Sequence, residues 1–302
     1  MVHNVLVTGA TGLVGSELTN KLQTLGYHVS VLSREPAKVK RFNAFFWDIE
    51  KQEIDAQCFK GIDSVVHLAG EPIGGKWWTE KQKKLIIDSR VRSAELLFSA
   101  IKTHGPDVRN FISASAVGYY GNRGDEVLNE KSSQGNGFVA ECCVKWEHAV
   151  QVGTADLGLR AAIIRLGIVL HKEKGSLPVM AKPIRLFAGS YLGDGKQWVP
   201  WIHHQDVTDI FLKAISDVEL KGIFNGCAPF PVTNRFLTKE IARQLRRPAL
   251  PFGIPELILK MALGEQSVLP LMSSNVSAQK ILDAGYAFKY HNVSDALMEI
   301  YE

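Results

Sequence analysis

Three glycines near the start of the chain have the spacing of a phosphate-binding loop. They are Gly9, Gly12 and Gly15. They follow the apolar run Val5–Val7, which predicts a buried strand, and they open an amphipathic helix predicted over residues 13–25. In such a loop one glycine makes the tight turn, one lets backbone N–H groups approach a pyrophosphate, and one lets helix and strand pack closely. A structural glycine turn is the alternative, but the flanking strand and helix favour a dinucleotide site at the positive end of the helix, formed by Gly9, Thr11, Gly12, Leu13, Val14 and Gly15.

The end of the second predicted strand indicates which dinucleotide is bound. NAD-binding proteins carry an acidic residue about 20 positions beyond the glycine loop, where it binds the ribose 2′-hydroxyl. Here Ser33 and Arg34 stand at that place. A hydroxyl and a guanidinium suit a 2′-phosphate, which a carboxylate would repel. The sequence therefore predicts NADP(H), with NAD(H) less favoured. Glu35 argues the other way because it could rotate inward, and a plain surface role is the alternative for Arg34.

Short or small residues stand at two further strand ends. Asp48 ends the third predicted strand, where it can cap the adenine amino group, with a turn-forming role as the alternative. Leu68, Ala69 and Gly70 end the fourth, where small residues let the backbone pass beside the cofactor ribose, with a tight turn as the alternative. Glu71 follows directly and is predicted to contact substrate, unless it is simply solvated.

These loops depend on an alternation of strands and helices that fills the first half of the chain. Strands are predicted at 28–32, 44–47, 64–68, 110–113 and 161–166, and helices at about 80–103 and 138–153. The alternation predicts an α/β fold with a doubly wound parallel sheet of the Rossmann type, which binds its ligand at the carboxyl ends of the strands. We assign residues 1–170 to this dinucleotide-binding domain and residues 171–302 to a smaller substrate lobe. Within the second part, a helix is predicted around 206–215 with Asp206 as its N-cap. A strand predicted around 222–226 returns to the sheet.

Composition and charge are those of an ordinary globular protein. Of 302 residues, 46% are hydrophobic and 22% charged, and the net charge of +4 comes from scattered Lys and Arg, so no nucleic-acid partner is expected. No apolar stretch reaches the roughly 20 residues that span a bilayer, and no signal peptide precedes the first strand, so no membrane partner is expected. The four cysteines lack metal-ligand spacing and predict reduced thiols in a cytoplasmic protein without a metal site.

The landmarks together resemble the short-chain dehydrogenase/reductase superfamily, in its extended branch of nucleotide-sugar epimerases and dehydratases. Thr8–Gly15 is similar to the family's glycine motif, His67–Gly70 to its second landmark, and Ser113–Gly121 to the segment with the catalytic serine. Arg165–Leu170 is similar to the strand that lines the nicotinamide, and Trp201–Val207 to a motif of the substrate lobe. Within the branch, the chain most resembles the atypical nucleoside-diphosphate-sugar epimerase-like subgroup.

The resemblance implies roles for individual residues. It makes Ser115 the catalytic serine, with a turn-forming serine as the alternative. It adds cofactor contacts at Ser113, Gly167, Val169 and Arg90. Arg90 takes the place of the family's structural asparagine, and a solvated helix residue is the alternative there. Trp201 and His203 become substrate contacts, although a structural histidine is the favoured alternative for His203.

The catalytic pair of that family is absent. The pair is Tyr-x-x-x-Lys on the helix after the serine strand, and its phenolate exchanges a proton with the substrate while hydride moves. Val139 and Cys143 stand at the two positions, and the neighbouring register does not restore the pair either. Tyr119 or Tyr120 could act as the acid or line the pocket. A tyrosine without a nearby lysine keeps a pKa of about 10 and is a poor base at neutral pH.

Two functions are compatible with this pattern. The first is an NADP-dependent oxidoreductase or epimerase acting on a small or nucleotide-sugar-like substrate. It is supported by the glycine loop, Arg34 and Ser115. The second is a non-catalytic NADP(H)-binding protein that regulates or senses redox state, as the missing pair suggests.

Further residues bear on substrate and partners. Four tryptophans in loops near the site favour a planar or hydrophobic substrate, with ordinary packing as the alternative; they are Trp77, Trp78, Trp198 and Trp201. Members of the extended branch often pair through the helices after the fourth and fifth strands. Here these are the predicted helices at about 80–103 and 138–153, so a homodimer is expected.

Overall fold

An eight-stranded sheet forms the centre of the computed structural model, which describes residues 4–302. Residues 1–3, on which the prediction of no signal peptide partly rests, lie outside the described part. The strands are β1 (Asn4–Thr8), β2 (His28–Ser33), β3 (Asn43–Asp48), β4 (Glu53–Ile54), β5 (Ser64–His67), β6 (Asn110–Ala116), β7 (Val127–Leu128), β8 (Arg160–Leu166), β9 (Ile168–Leu170), β10 (Trp198–Val199), β11 (Trp201–His203), β12 (Gly222–Gly226), β13 (Val232–Thr233) and β14 (Asn275–Val276).

The helices mostly cover the faces of this sheet or form the carboxyl-terminal part of the chain. They are α1 (Leu13–Thr24), α2 (Glu80–His104), α3 (Phe138–Asp156), α4 (Ser176–Arg185), α5 (His204–Ser216), α6 (Asn234–Gln244), α7 (Glu256–Leu263), α8 (Val268–Leu271), α9 (Gln279–Asp283) and α10 (Val293–Tyr301), with short 3-10 turns at Pro36–Lys38, Ala56–Phe59, Val117–Tyr120 and Gly264–Ser267. Across residues 4–302, no helix combines the length and apolarity needed to cross a bilayer.

The central sheet is doubly wound, as predicted. Its strand order is β12-β8-β6-β5-β1-β2-β3-β4, and all neighbours are parallel except β3 and β4. The direction of winding reverses between β1 and β5, so the carboxyl ends of these two strands form the crevice where such sheets bind ligands. Thr8 at the end of β1 pairs in register with Leu32 and with His67, so three of the predicted cofactor loops leave the same edge.

The sheet is buried on both faces. Helices α1 and α5 pack together, as do α2 and α3. Val5, Leu6 and Val7 are consequently all fully buried. A parallel strand covered on both sides has this continuous apolar sequence, because every side chain faces a helix layer.

A second hydrophobic core lies in the carboxyl-terminal part of the chain. It is formed by α4, α6 and α10 around Trp201, and includes Ile184, Leu237 and Leu297. Residues beyond 170 contribute to both cores, because β12 pairs with β8 and the α5 residues Val207 and Phe211 belong to the central core.

The start of α5 differs from the prediction. The helix begins at His204, and His203 is its N-cap, with Nδ1 accepting a hydrogen bond from the Gln205 backbone N–H at 3.2 Å. Asp206 is therefore inside the first turn. It is buried, and its carboxylate accepts hydrogen bonds from the Tyr286 hydroxyl and the Lys289 backbone N–H, both at 2.8 Å. Asp206 joins α5 to the chain that follows α9 instead of capping the helix.

Candidate cofactor and active site

The glycine loop closes tightly on itself and on the end of β5. Gly9 has a φ of +68°, and a Cβ on it would lie 2.8 Å from the Leu68 carbonyl carbon. A Cβ on Gly15 would lie 2.2 Å from the Gly9 oxygen. Only glycine fits either position. Gly12 is the N-cap of α1, and the described structure gives this helix neither a side-chain cap nor an acidic residue in its first turn. Its first N–H groups are thus left for an anion.

Thr8 ties the two cofactor loops together. Its Oγ1 accepts hydrogen bonds from the backbone N–H groups of Leu68 and Ala69, both at 3.1 Å, and lies 2.9 Å from Nδ1 of His67. The other nitrogen of His67 lies 3.1 Å from the Ser93 hydroxyl on α2. Burial lowers the pKa of His67 to about 4, so the ring is neutral at pH 7. A buried, uncharged network therefore fixes the crevice.

The end of β2 presents Arg34 to solvent. Arg34 is exposed, while the neighbouring Glu35 carboxylate is held at 2.6 Å from the Lys38 ammonium. The Ser33 hydroxyl accepts a hydrogen bond from the Glu35 backbone N–H at 3.1 Å. Glu35 is thus paired locally and does not turn inward. At the end of β3, one Asp48 carboxylate oxygen accepts hydrogen bonds from the backbone N–H groups of the turn that follows. This is the turn-forming role given above as the alternative to contact with adenine.

Arg90 is held against the second cofactor loop. Its Nη1 donates to the carbonyl oxygens of Glu71 and Ile86, both at 2.9 Å, and its guanidinium lies 5.1 Å from the centre of the Trp146 ring. A Cβ on Gly70 would lie 3.1 Å from Cζ of Arg90. The guanidinium therefore fills the space beside Gly70 and is no solvated helix cation.

Ser115 belongs to a buried ionic network at the end of β6. Its hydroxyl donates to Oε1 of Glu147 at 2.6 Å. Glu147, on α3, also accepts from Nε and Nη2 of Arg165 at 2.8 and 2.7 Å. Arg165 lies opposite Ser115 in the strand register, and the two charged side chains are only 2% and 4% exposed. Burial lowers the pKa of Arg165, but the hydrogen bonds and charge of Glu147 outweigh this and raise it overall, so the guanidinium stays charged.

Both tyrosines after Ser115 contact Arg165, in different ways. The Tyr120 hydroxyl accepts from Nη1 of Arg165 at 2.9 Å and donates to Oδ1 of Asn225 at 2.7 Å. Tyr120 is fully buried, and burial raises its pKa to about 12. Its hydroxyl is thus committed to the network, which corrects the prediction that Tyr120 is a catalytic or pocket residue. Tyr119 is half-buried, and its ring centre lies 3.4 Å from the Arg165 guanidinium.

The place of the missing catalytic pair is filled by backbone. A Cβ on Gly118 would lie 2.4 Å from Cγ1 of Val139 and 3.8 Å from Sγ of Cys143. The turn Val117–Tyr120 therefore packs directly onto the helix positions where tyrosine and lysine were expected. Burial raises the pKa of the Cys143 thiol to about 12, so it stays protonated and does not replace the lysine charge.

Comparison with known proteins agrees with these landmarks. Residues 5–226 match the model of the NAD dependent epimerase/dehydratase family, and residues 254–300 match a domain of unknown function. The chain belongs to the NAD dependent epimerase/dehydratase family. Its carboxyl-terminal match covers α7 to α10.

Relatives of this family match along nearly the whole chain. The chloroplastic SDR39U1 homolog of Arabidopsis thaliana is 35% identical, over 98% of this chain and 86% of its own length. The epimerase family protein YfhF of Bacillus subtilis is 34% identical, over 98% and 97% of the two chains. The crystal structure of human epimerase family protein SDR39U1 with NADPH superposes with a TM-score of 0.87 at 28% identity, covering 99% of each chain.

Three residues predicted from the family resemblance lie within β6, between β8 and β9, and within β9; they are Ser113, Gly167 and Val169. The Ser113 hydroxyl is buried and donates to the Ala114 carbonyl at 2.9 Å. A Cβ on Gly167 would lie 2.6 Å from the Pro200 oxygen, so glycine is needed there for β8 and β9 to pass the segment before β11. Val169 is half-buried on β9.

The two family-derived substrate residues on β11 belong to the core instead. Trp201 is fully buried, and its Nε1 donates to the Phe230 carbonyl at 2.9 Å. His203 is fully buried, caps α5 and lies 2.8 Å from a Glu299 carboxylate oxygen. Burial lowers the pKa of His203 to about 3. Neither side chain is open to a substrate. This corrects the prediction for Trp201, and for His203 it agrees with the structural role that was the favoured alternative.

The predicted aromatic pocket is also not assembled. Trp78 is buried and donates to the Ile73 carbonyl, and Trp198 donates to Asp125. These contacts are ordinary packing, the alternative considered for them. Trp77 alone of the four is mostly exposed, at 63%. Glu71 does remain beside the site, where its hydrogen bond to Lys76 lowers the pKa of its carboxyl.

Two groups of histidines and a carboxylate bring possible metal ligands together among the described residues. One of them, His203, His204 and Glu299, includes the helix cap His203, whose Nδ1 is already an acceptor. In the other group, Glu17, His171 and His204 have ligand atoms within 4.8 Å of one another. Nδ1 of His171, however, accepts hydrogen bonds from the backbone N–H groups of Glu173 and Lys174. The other ring nitrogen, Nε2, lies 3.7 Å from a Glu17 carboxylate oxygen. His171 therefore offers a metal ion only Nε2, because Nδ1 is already an acceptor.

Sequence reasoning missed Thr8, His67 and Glu147 as parts of the site. The first two stand inside the quoted motifs, and their polarity within apolar strands was an available signal. Glu147 gave no comparable signal because its partners, Ser115 and Arg165, are distant in sequence and meet only through the pairing of β6 with β8.

Proposed function

We propose that this protein binds NADP(H) and acts as an oxidoreductase or epimerase on a small or nucleotide-sugar-like substrate. The observation that carries the proposal is that the glycine loop, the exposed Arg34 and the buried network of Ser115 share one edge of a doubly wound sheet. That edge is where such sheets bind a dinucleotide and its substrate. In this proposal residues 1–170 mainly hold the cofactor and residues 171–302 mainly hold the substrate.

The preference for NADP(H) is supported by charge at the end of β2. Arg34 is exposed, and Lys38 holds the Glu35 carboxylate that would repel a 2′-phosphate. The structure of human SDR39U1 with NADPH supports the same cofactor. We propose cofactor contacts from the glycine loop together with Ser33, Arg34, Asp48, Leu68, Ala69, Gly70, Arg90, Ser113, Gly167 and Val169.

The proposed chemistry centres on Ser115. The Ser115 hydroxyl donates a hydrogen bond to Glu147, which leaves the lone pairs of its oxygen as acceptors for a substrate hydroxyl. Ser115 is buried, so in this proposal the substrate enters the crevice beside it. Arg165 balances the Glu147 charge and lies against the half-buried ring of Tyr119. We propose Ser115 as the residue that orients the reacting oxygen and Tyr119 as the proton carrier, with Glu71 as a substrate contact.

A second candidate function is NADP(H) binding without turnover. The contact of Gly118 with Val139 favours it, because backbone fills the place of the family's proton-transfer pair. Such a protein would report the redox state of the cofactor through its conformation.

Fluorescence titration with NADPH and NADH tests the cofactor. We expect Arg34→Asp to weaken NADPH binding by about 10- to 100-fold and NADH binding far less, because a charged hydrogen bond contributes about 1.5–3 kcal/mol. Lys60→Asp, an exposed charge change elsewhere, is the control. Equal loss of both cofactors would contradict the assignment.

Carbonyl compounds added to the NADPH complex, and nucleotide sugars added to the NADP+ complex, separate the two functions, with cofactor redox change or a changed sugar configuration as the sign of turnover. Turnover that Ser115→Ala slows supports the enzyme. Tight binding without turnover on any of these compounds supports the non-catalytic protein.

Location and assembly complete the proposal. All four cysteines are buried and free, which supports a cytoplasmic location. A homodimer through α2 and α3 would cover the ion pairs Lys84–Asp88 and Lys145–Glu141 on those helices. Light scattering at low and high salt tests it, since contacts between exposed charges weaken with ionic strength.

A further inference from the structure

We propose that the exposed ends of α4 and α6 form a surface that binds anionic lipid membranes. This basic-apolar face consists of the exposed residues Val179, Lys182, Leu186, Phe187, Arg246 and Arg247. The inference concerns the far ends of the carboxyl-terminal helices and is independent of the proposed enzymatic function.

The face lies in two segments that contain cations and no acidic residue. Residues 176–190 hold two Lys or Arg, and residues 241–255 hold three, with no Asp or Glu in either segment. Among the described residues, Lys182, Arg246 and Arg247 form no salt bridge, while Arg243 is paired with Glu240. In a chain with 35 basic and 31 acidic residues, this local excess leaves an uncompensated positive surface.

Large apolar side chains protrude among these cations. Val179 is 73% exposed, Leu186 69% and Phe187 59%. The opposite side of α4 buries Leu177 and Ile184 in the second core, so α4 does not need the exposed side chains for packing. Protruding apolar groups flanked by Lys and Arg are the composition of a surface that inserts shallowly into the headgroup region.

Both helices end in a backbone conformation that normally selects glycine. Phe187 has a φ of +61° and Arg246 a φ of +53°, and each follows the C-cap of its helix. In the described chain only one other non-glycine residue, Gln52, has a positive φ. A bulky residue is strained there, and glycine would relieve the strain. Two adjoining helix ends thus keep strained residues whose side chains point outward.

The two helix ends are joined directly. The Arg247 guanidinium lies 4.8 Å from the centre of the Phe187 ring, and the Leu250 backbone N–H donates to the Gly189 carbonyl at 2.7 Å. The cations and apolar groups therefore form one continuous surface. Apolar side chains that protrude from a surface can insert between lipid headgroups without a complementary shape on the other side. A protein partner would need a pocket that matches them. This inference revises the expectation of no membrane partner, which considered only membrane-spanning segments.

Sedimentation with vesicles tests the proposal on the full chain. We expect binding to vesicles of mixed phosphatidylcholine and phosphatidylglycerol, and little to pure phosphatidylcholine. Arg246→Gln with Arg247→Gln should weaken binding about 30-fold, because each cation at an anionic surface contributes about fivefold. Lys51→Gln with Lys60→Gln, an equal loss of exposed charge elsewhere, should have no comparable effect.

Phe187→Gly is the decisive variant. It relieves the left-handed backbone, so the melting temperature should stay the same or rise while vesicle binding falls about tenfold. Absence of wild-type binding to the anionic vesicles overturns the proposal. Two results together also overturn it: wild type and Phe187→Gly bind the vesicles equally, and the protein binds soluble polyglutamate as well as it binds vesicles. The face would then recognise negative charge alone, such as that of an acidic protein.

Discussion

The residue with the greatest influence on the site is Glu147. Its carboxylate accepts hydrogen bonds from the Ser115 hydroxyl and from Nε and Nη2 of Arg165, and the ion pair is almost fully buried. The family resemblance implied a lysine on the helix that follows the serine strand. Here the helix supplies the carboxylate and strand β8 supplies the cation. Ser115 is therefore held by a buried, charge-balanced ion pair.

Removing one member of this ion pair should cost far more than removing an exposed pair. We expect Glu147→Ala to lower the free energy of unfolding by about 3–5 kcal/mol, because Arg165 would remain buried without a counter-charge. Urea unfolding measures the loss. Glu141→Ala on the same helix breaks an exposed pair with Lys145 and should change stability by less than about 1 kcal/mol. A loss for Glu147→Ala no larger than that of the control would show that the network does not support the fold.

Sequence alone located the residues whose role is local. The tight turn at Gly9 and Gly15 could be predicted, because the strand, the loop and the helix that form it are consecutive in the sequence. Glu147 and Arg165 could not, since each looks like an ordinary charged residue until the sheet brings β8 beside β6. Trp201 was predicted wrongly for a different reason: a motif shared with a family was interpreted as contact with substrate, whereas here Trp201 packs into the second core.

At the scale of elements, the contact between the turn Val117–Tyr120 and α3 decides what chemistry is available. The alternation of strands and helices predicted α3, but neither the turn nor how closely the turn approaches the helix. That distance depends on Gly118, which has no side chain to hold the turn away from Val139. The turn can lie this close to α3 only because the helix carries a small valine in place of the tyrosine. Restoring the tyrosine alone would create a clash.

Gly118→Ala tests this packing directly. The new Cβ would lie 2.4 Å from Cγ1 of Val139, so we expect a loss of about 1–3 kcal/mol in the free energy of unfolding from overpacking. Combining it with Val139→Ala makes room, so the double variant should lose less than the two single losses added together. Gly74→Ala, where the added atom meets nothing within 4 Å, is the control. Simple additivity of the two changes would show that the turn does not press on α3.

At the scale of the whole molecule, buried neutral histidines make the fold sensitive to acid. Burial lowers the pKa of His67 to about 4, below the ordinary value of 6.5 that it regains on unfolding. Between these two values the unfolded chain binds more protons than the folded one, so stability falls as the pH drops from about 6.5 to 4. His67 alone accounts for about 3 kcal/mol of that loss. His67 joins β1 to α2 through Thr8 and Ser93, so its protonation also disturbs the cofactor crevice.

We therefore expect the urea midpoint to fall between pH 6.5 and 4.5, and the fall to be shallower in His67→Gln. The glutamine removes the titrating ring while keeping a polar group between Thr8 and Ser93. The quantity to compare is therefore the slope of the urea midpoint against pH, and not the stability at one pH. NADPH titrated over the same pH range should lose affinity in the wild type before global unfolding begins, because the network holds both cofactor loops. His104→Gln, at the exposed end of α2, is the matched control. Identical slopes for wild type and His67→Gln would show that acid acts through other groups.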